Sequence, residues 1–391
     1  MSTELQNFCA APWSGLFYHT DSARICCAHR TFVANTSIQN FQQMKFIREV
    51  RQSFLNDEKH PTCSQCWSLE EHGMESVRKY ISMQCSSVYS KSVTLDSAYT
   101  VDYLELRDGN LCNMSCIMCG PNDSSMIQTE IESHPKLKKI YGGYTNVIFN
   151  KNKISDERWA ELYAIAPTLK SLMLTGGEPM LSKNFKKYLQ YILDHGRDDI
   201  HLHISTNASV INETLINIFK QIKNFTMGIS VDGVDATAEY HRYGCNWESV
   251  RNNIDEFIKL PADIAIGTTI TAISILDISN LVKYLISLHQ KNPHLNLSWR
   301  CSTNLSYTWL SGVAKERALE EIKLSRDLIN NYDTPYRESL TALLNEIQIY
   351  ENVLTSTAPD PKNYQKLVNE ISLFDSVRTK TFESTFGFKL D

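Results

Sequence analysis

The chain has 391 residues, 42% of them hydrophobic and 21% charged, the make-up of a globular protein too long for one ordinary core. Lys+Arg number 39 against 44 Asp+Glu, a net charge of −5; this leaves no electrostatic footprint for sequence-independent nucleic-acid binding, so no nucleic-acid partner is expected. No apolar run reaches the roughly 18 residues that span a bilayer, and the start Met-Ser-Thr-Glu-Leu-Gln lacks a basic region followed by an apolar stretch, so a cytoplasmic protein without a membrane partner is expected.

Residues 1–85 read as a cysteine-bearing N-terminal unit, with Cys9-Ala-Ala-Pro-Trp13, then Cys26-Cys27, then Cys63-Ser-Gln-Cys66. Eleven cysteines is a high count, and in a reducing compartment such pairs read as metal ligands before disulfides. Ser86 to Thr100 reads as a linker or an extended strand. From Val101 onward the hydrophobic period switches repeatedly between strand and helix, which predicts βα units around a parallel sheet. Strands are expected at Asp102–Leu106, Leu169–Leu174, Ile200–Ser205, Phe225–Val231, Ile264–Ala272 and Leu295–Arg300. Helices are expected at Trp159–Ala166, Phe185–His195, Glu213–Lys223, Trp247–Lys259 and Ser279–Lys291. The fold class is therefore α/β, with six βα units making a partial, six-stranded (β/α)6 barrel over 98–305. Beyond it, 306–391 reads as a helical extension with helices at Lys315–Asn331 and Tyr336–Val353. The charges of Lys315-Glu-Arg-Ala-Leu-Glu-Glu-Ile-Lys323 are expected on a solvated helix face.

The most informative run is Asn110-Leu-Cys-Asn-Met-Ser-Cys-Ile-Met-Cys-Gly120, directly after the first barrel strand. Cys112, Cys116 and Cys119 are spaced to ligate three irons of a cubane cluster and leave the fourth open to a substrate or cofactor. In a parallel βα barrel, ligands collect at the carboxyl ends of strands, and polar motifs recur there. Thr175-Gly-Gly-Glu-Pro179 offers two glycines for close backbone approach and the Glu178 carboxylate, although alone it is also an ordinary turn. Ser205-Thr-Asn207 either faces a cofactor or caps a loop. Ser230-Val-Asp-Gly233 precedes Tyr240-His-Arg-Tyr-Gly244, whose Arg242 suits a carboxylate. Cys85, Cys245 and Cys301 read as small buried residues, and His201 and His203 as packed strand residues. No catalytic residue is assigned.

The triad and the motifs behind it resemble the radical SAM superfamily. The resemblance implies a SAM-binding 4Fe–4S cluster on Cys112, Cys116 and Cys119, with S-adenosyl-L-methionine held through its amino and carboxylate groups. It assigns the amino group to Gly176, Gly177 and Glu178, and the ribose and carboxylate to Ser230 and Arg242, with Asn207 alongside. Met118 stands where the family usually carries an aromatic side chain near the adenine. The N-terminal unit resembles twitch and SPASM auxiliary-cluster domains and implies a second 4Fe–4S cluster among Cys9, Cys26 or Cys27, Cys63 and Cys66. Neighbouring strand residues point oppositely, so either Cys26 or Cys27 can serve, and four thiolates would equally make a structural zinc site. In most characterised relatives that domain follows the barrel; here it precedes it. The order matches a group of twitch-domain proteins that also share Arg48, Arg51, Glu71, Gly73, Ser76 and Arg78, and with these the resemblance covers roughly residues 5 to 305. The implied activity is reductive SAM cleavage to a 5′-deoxyadenosyl radical that abstracts a substrate hydrogen. The implied partners are a reductant such as flavodoxin or ferredoxin and a peptide or protein substrate. Oxidation of a small sugar or aminocyclitol, and a non-enzymatic zinc-binding scaffold, are the alternative readings.

Overall fold

A computed structural model of the chain describes residues 5–20, 22–71, 76–85, 88, 92–141, 154–301 and 305–390, with residues 300 and 301 described in backbone only. Gly73, parts of the Ser86–Thr100 segment and the Cys301 side chain lie outside the described residues. Among the described residues the strands, in chain order, are β1 Gly15–His19, β2 Ser22–Arg24, β3 Tyr103–Arg107, β4 Ser115–Cys116, β5 Ser171–Thr175, β6 His201–Thr206, β7 Asn224–Ser230, β8 Arg242–Tyr243, β9 Asp263–Ile270 and β10 Asn296–Cys301. Each expected barrel strand is present, its ends shifted by two residues at most. The fold is α/β with mostly parallel strands, and the chain divides into two compact units.

The first unit comprises Met1–Asn110, Phe149–Ile204 and Glu213–Phe225. Its strands run β2-β1-β3-β5-β6, with β1, β3, β5 and β6 parallel and β2 antiparallel to β1. The β1–β2 hairpin is an addition to the expected strands. Its Gly-Leu-Phe-Tyr sequence is one short buried run without polar alternation, the pattern least able to announce a strand. Helix Lys183–Asp194 starts where Ser182 Oγ accepts from Phe185 N and buries Phe185, Tyr188, Leu189 and Ile192, one stripe at helical spacing.

The second unit comprises Leu111–Ile148, Ser205–Asn212 and Thr226–Asp391. Here β7, β9 and β10 lie parallel in that order, and β4 pairs antiparallel with β8 through Ser115↔Tyr243 and Cys116↔Arg242. Burial alternates along all of β9, as on a strand buried on one side. The longest helices of the unit are Trp247–Phe257, Ile278–Lys291, Gly312–Asn331, Glu338–Ser356 and Pro361–Asp375. One expectation is overturned at Glu321, which is 3% exposed rather than solvated. Its carboxylate accepts from Ser279 N at 3.0 Å and pairs with Arg317 at 3.0 Å, so it satisfies an orphan N–H at the start of the neighbouring helix.

Candidate active site and cysteine pocket

In the second unit, the cysteine loop is pinned at both ends by the helix that follows it, Ser125–Ser133. Ser124 Oγ accepts from Met126 N and Ile127 N and donates to Met114 O at 2.6 Å. Ser125 Oγ both accepts from Cys112 N and donates to Cys112 O, each at 3.1 Å. Between these ties, Cys116 sits on β4 opposite Arg242 on β8, and a turn brings Cys119 N to Cys116 O at 3.1 Å. The Cys116 and Cys119 thiols hydrogen-bond each other; that bond and the nearby Arg242 guanidinium lower the Cys116 pKa against the effect of burial. Asn207 is buried, with its Nδ2 3.8 Å from Cys112 Sγ and 3.1 Å from Asn113 Oδ1, while its Oδ1 accepts from Ser209 N and Oγ.

Arg242 is tied to Asp232, Nη2 to Oδ2, at 2.6 Å. Burial opposes both charges. The Arg242 charge, His241 and the Thr269 N–H nonetheless hold the Asp232 carboxyl below the usual range, and Asp232 together with Cys116 and Cys119 keeps Arg242 firmly protonated. Behind the pair, His241 Nδ1 lies 3.4 Å from Asp232 and its Nε2 2.9 Å from Thr271 Oγ1. The Arg242 Nε is buried and makes no hydrogen bond. Ser230 is half-buried at the carboxyl end of β7, beside Gly267, and Met118 is half-buried on the cysteine loop. The nearby Arg242 cation at Cys116 and Cys119 and the Asn207 amide at Cys112 Sγ favour thiolate, against the Cys116 hydrogen bond and the burial that push Cys119 up. Thiolate is the form that ligates iron, so these residues fit an iron–sulfur group. The sequence reading missed Asp232, although it stands inside the motif already singled out.

Gly176, Gly177 and Glu178 belong to the first unit. Gly176 has φ +127, and a Cβ there would stand 3.1 Å from Gly109 O, so only glycine suits the turn. Glu178 is buried and its Oε1 accepts from Met180 N at 3.0 Å, which caps the turn Pro179–Leu181. Asp108 accepts from Ser182 Oγ at 2.5 Å and Asn184 Nδ2 at 3.2 Å, fixing the two loops to each other.

Also in the first unit, Cys9, Cys26, Cys63 and Cys66 line one pocket of about 380 Å3, counting the part open to solvent. Each arrives on a different piece of local structure: Cys9 before the helix Ala11–Ser14, Cys26 after β2, Cys63 ending the turn Pro61–Cys63, and Cys66 in the helix Ser64–Glu71. Burial pushes all four thiols up, Cys63 to about 11. Binding there has to displace protons that burial holds on the sulfurs; what fits a four-cysteine group is the donor set itself, four cysteines lining one pocket. Cys27 does not line the pocket; its thiol hydrogen-bonds Glu105. Among the described residues, no group of three or more His, Cys, Asp or Glu forms a site for a single metal ion.

Arginines hold this pocket together. Arg78 donates to Gln6 O and Phe8 O, pairs with Glu70 and stacks 4.7 Å from the Trp67 ring, and Ser76 also donates to Glu70. Arg51 donates to Pro12 O, Leu95 O and Ser97 O. Arg48 pairs with Asp96 and Glu71 with Lys59. The partner of Arg78 is thus Glu70, which sequence reasoning passed over in favour of its neighbour.

Residues 106–283 match the family model described as the Radical SAM superfamily. The chain is similar to the GTP 3′,8-cyclase of Campylobacter jejuni subsp. jejuni serotype O:6, 24% identical over 229 residues covering 56% of this chain and 62% of that protein. It is also similar to the GTP 3′,8-cyclase of Campylobacter lari, 26% identical over 174 residues covering 43% and 46%. The chain therefore spans less than two thirds of the length of these curated relatives. Among solved structures it is similar to hexahistidine-tagged anSMEcpe with bound AdoMet, at TM-score 0.38 and 15% identity, covering 71% of this chain and 67% of that one. It is similar to Streptococcus suis SuiB bound to S-adenosylmethionine at TM-score 0.34 and 15% identity, covering 68% and 54%. No helix among the described residues is long and apolar enough to cross a membrane. Over residues 106–283, the stretch that contains the Cys112, Cys116 and Cys119 loop and its Arg242 partner, the chain carries a radical SAM superfamily domain.

Proposed function

We propose that the protein is a radical SAM enzyme that cleaves S-adenosylmethionine reductively and abstracts a hydrogen atom from a peptide or protein substrate, within a partial (β/α)6 barrel extended at both ends. The observation that carries this reading is the cysteine triad with the Arg242 cation near Cys116 and Cys119 and the Asn207 amide at Cys112 Sγ. Cys112, Cys116 and Cys119 would hold a 4Fe–4S cluster. When bound, that group supplies the electron that splits SAM into methionine and a 5′-deoxyadenosyl radical.

The chain's own residues bind and orient. Arg242, already aligned by Asp232, keeps a buried Nε for the SAM carboxylate. Gly176 and Gly177 let backbone approach the amino group, with Glu178 as its carboxylate. Ser230 takes the ribose, and the Met118 thioether packs on the adenine in place of an aromatic ring.

In the N-terminal unit, a twitch-like region over 1–85, we assign a second cluster to Cys9, Cys26, Cys63 and Cys66. Cys27 is left out because its thiol is directed at Glu105. The match to GTP 3′,8-cyclases supports the shared radical generator, and the substrate in their name is not carried over. The test is anaerobic: reconstituted, reduced protein given SAM should release 5′-deoxyadenosine, and the Cys116→Ala variant should not. Equal release by that variant overturns the assignment.

A further inference from the structure

Apart from both cysteine sites, one face of β1, β2 and β3 carries a charged cluster, its two arginines half-buried and its glutamate buried, with no role in the reading above. Strand register sets Phe17 opposite Glu105 and His19 opposite Arg107, and Arg24 of β2 opposite Phe17. Period-two alternation therefore places Glu105 and Arg107 on one face, with Leu104 and Leu106 on the other. The Arg24 and Arg107 guanidinium carbons each stand 5.5 Å from the centre of the Phe17 ring. Arg24 also lies 4.7 Å from the Phe32 ring. Two cations on one buried ring repel each other.

Glu105, 3% exposed, is the carboxylate nearest to hand, yet its Oε2 is buried and makes no hydrogen bond; the Arg24 Nε is buried and makes none either. Glu105 is already reached by Cys27 and Thr175, so the donor left open beside it is the Arg24 Nε, on a guanidinium that shares the Phe17 ring with a second cation. A guanidinium fork matches the oxygens of a carboxylate or a phosphate.

We propose that Arg24 and Arg107 bind an anionic group of the substrate, a carboxylate or a phosphate. As a substrate site it rests on the radical SAM reading; as an anion site it does not. Cys27 hydrogen-bonds Glu105 and its neighbour Cys26 lines the four-cysteine pocket, so the anchored substrate would lie beside that pocket.

The test uses the full chain titrated with sodium acetate and with sodium phosphate at constant ionic strength, binding being followed by calorimetry. Saturable binding of at least one anion is expected. Arg24→Gln and Arg107→Gln should each weaken it about tenfold or more, the loss of a charge-assisted pair, while the exposed-site variant Lys220→Gln should not. Preference for acetate points to a carboxylate substrate, and preference for phosphate to a phosphorylated one. Absence of saturable binding, or equal binding by all variants, overturns the proposal. Should either arginine variant fail to fold, the wild type still decides. The bound anion should slow phenylglyoxal modification of Arg24 and Arg107, read by peptide mass spectrometry, and unchanged rates overturn the site. Wild-type 5′-deoxyadenosine release is scored separately, so anion binding without SAM cleavage overturns the radical reading alone.

Discussion

Arg242 and Asp232 form an ion pair at 2.6 Å with side chains only 12% and 1% exposed. The pair connects two motifs separated by a helix: Asp232 follows β7, and Arg242 lies on β8 against Cys116. A guanidinium fixed in this way gives up one edge to Asp232 and holds the remainder of its fork in a set direction. Preorganisation of that kind lowers the entropy lost when a carboxylate docks.

Removing either partner leaves the other charge buried and uncompensated. Arg242→Ala should therefore destabilise the protein by about 3 kcal/mol, read by urea unfolding, as well as weakening SAM binding. Asp232→Asn should retain SAM binding better than Arg242→Ala does. A surface arginine would show neither effect, so an unchanged unfolding midpoint for Arg242→Ala argues against the buried pair.

The same pair predicts an acid limb. The folded Asp232 pKa is held below that of an unfolded aspartate, about 3.9. More protons are then bound by the unfolded chain in that interval, so stability rises with pH there. The contribution is present in full above the unfolded value and is lost as pH falls through the folded one. Thermal midpoints measured from pH 6 down to pH 3 should fall more steeply for the wild type than for Asp232→Asn. Parallel curves would place the titration elsewhere.

Strands and helices of the barrel region could be read from the sequence because β9 alternates cleanly and helix Lys183–Asp194 keeps one apolar stripe. Local period carries that information. Long-range pairing is carried by no local period: nothing near Gly15 in sequence says that β1 will lie beside β3, some ninety residues on. The site divides along the same line. Thiol spacing within one loop exposes Cys112, Cys116 and Cys119, whereas choosing between Cys26 and Cys27, which lie in the bend after β2 and not on a strand, requires knowing which of them meets Glu105. Arg378 shows the limit most plainly, since its partner Glu130 is far away in the chain.

Arg378 donates from Nε and Nη2 to the two oxygens of Glu130, both at 2.8 Å, with its side chain 1% exposed, and its guanidinium lies 4.9 Å from the Tyr243 ring. Tyr243 is paired with Ser115 in the strand that bears Cys116. The C-terminal segment is thus part of the support of the cysteine loop. Arg378→Ala should lower stability by roughly 3 kcal/mol and loosen the loop, so that reconstituted iron is lost faster to a chelator. Wild-type retention of iron would make the C-terminal segment dispensable to the site.

Gly176→Ala tests the turn after β5 without touching a charge. With φ +127 and a Cβ 3.1 Å from Gly109 O, alanine brings both backbone strain and a close contact with a backbone atom. A cost of about 2 kcal/mol is expected, and because the turn is proposed to meet the SAM amino group, SAM affinity should fall as well. Reduced stability with unchanged SAM affinity would leave Gly176 a folding residue only.

The N-terminal pocket gives the sharpest metal test. If both cysteine sites hold cubanes, anaerobically reconstituted protein should carry about eight irons per chain. A triple alanine variant at Cys112, Cys116 and Cys119 should keep about four and stay brown. Cys27→Ala should keep about eight, because its thiol is turned to Glu105, whereas Cys26→Ala should lose the N-terminal complement. Thiolate sites accept zinc as readily as iron, so the protein must be made in iron-replete medium and analysed for both metals. A colourless triple variant holding one zinc would make residues 1–85 a structural zinc module, while the SAM-cleavage assignment would still be decided by the wild type against Cys116→Ala.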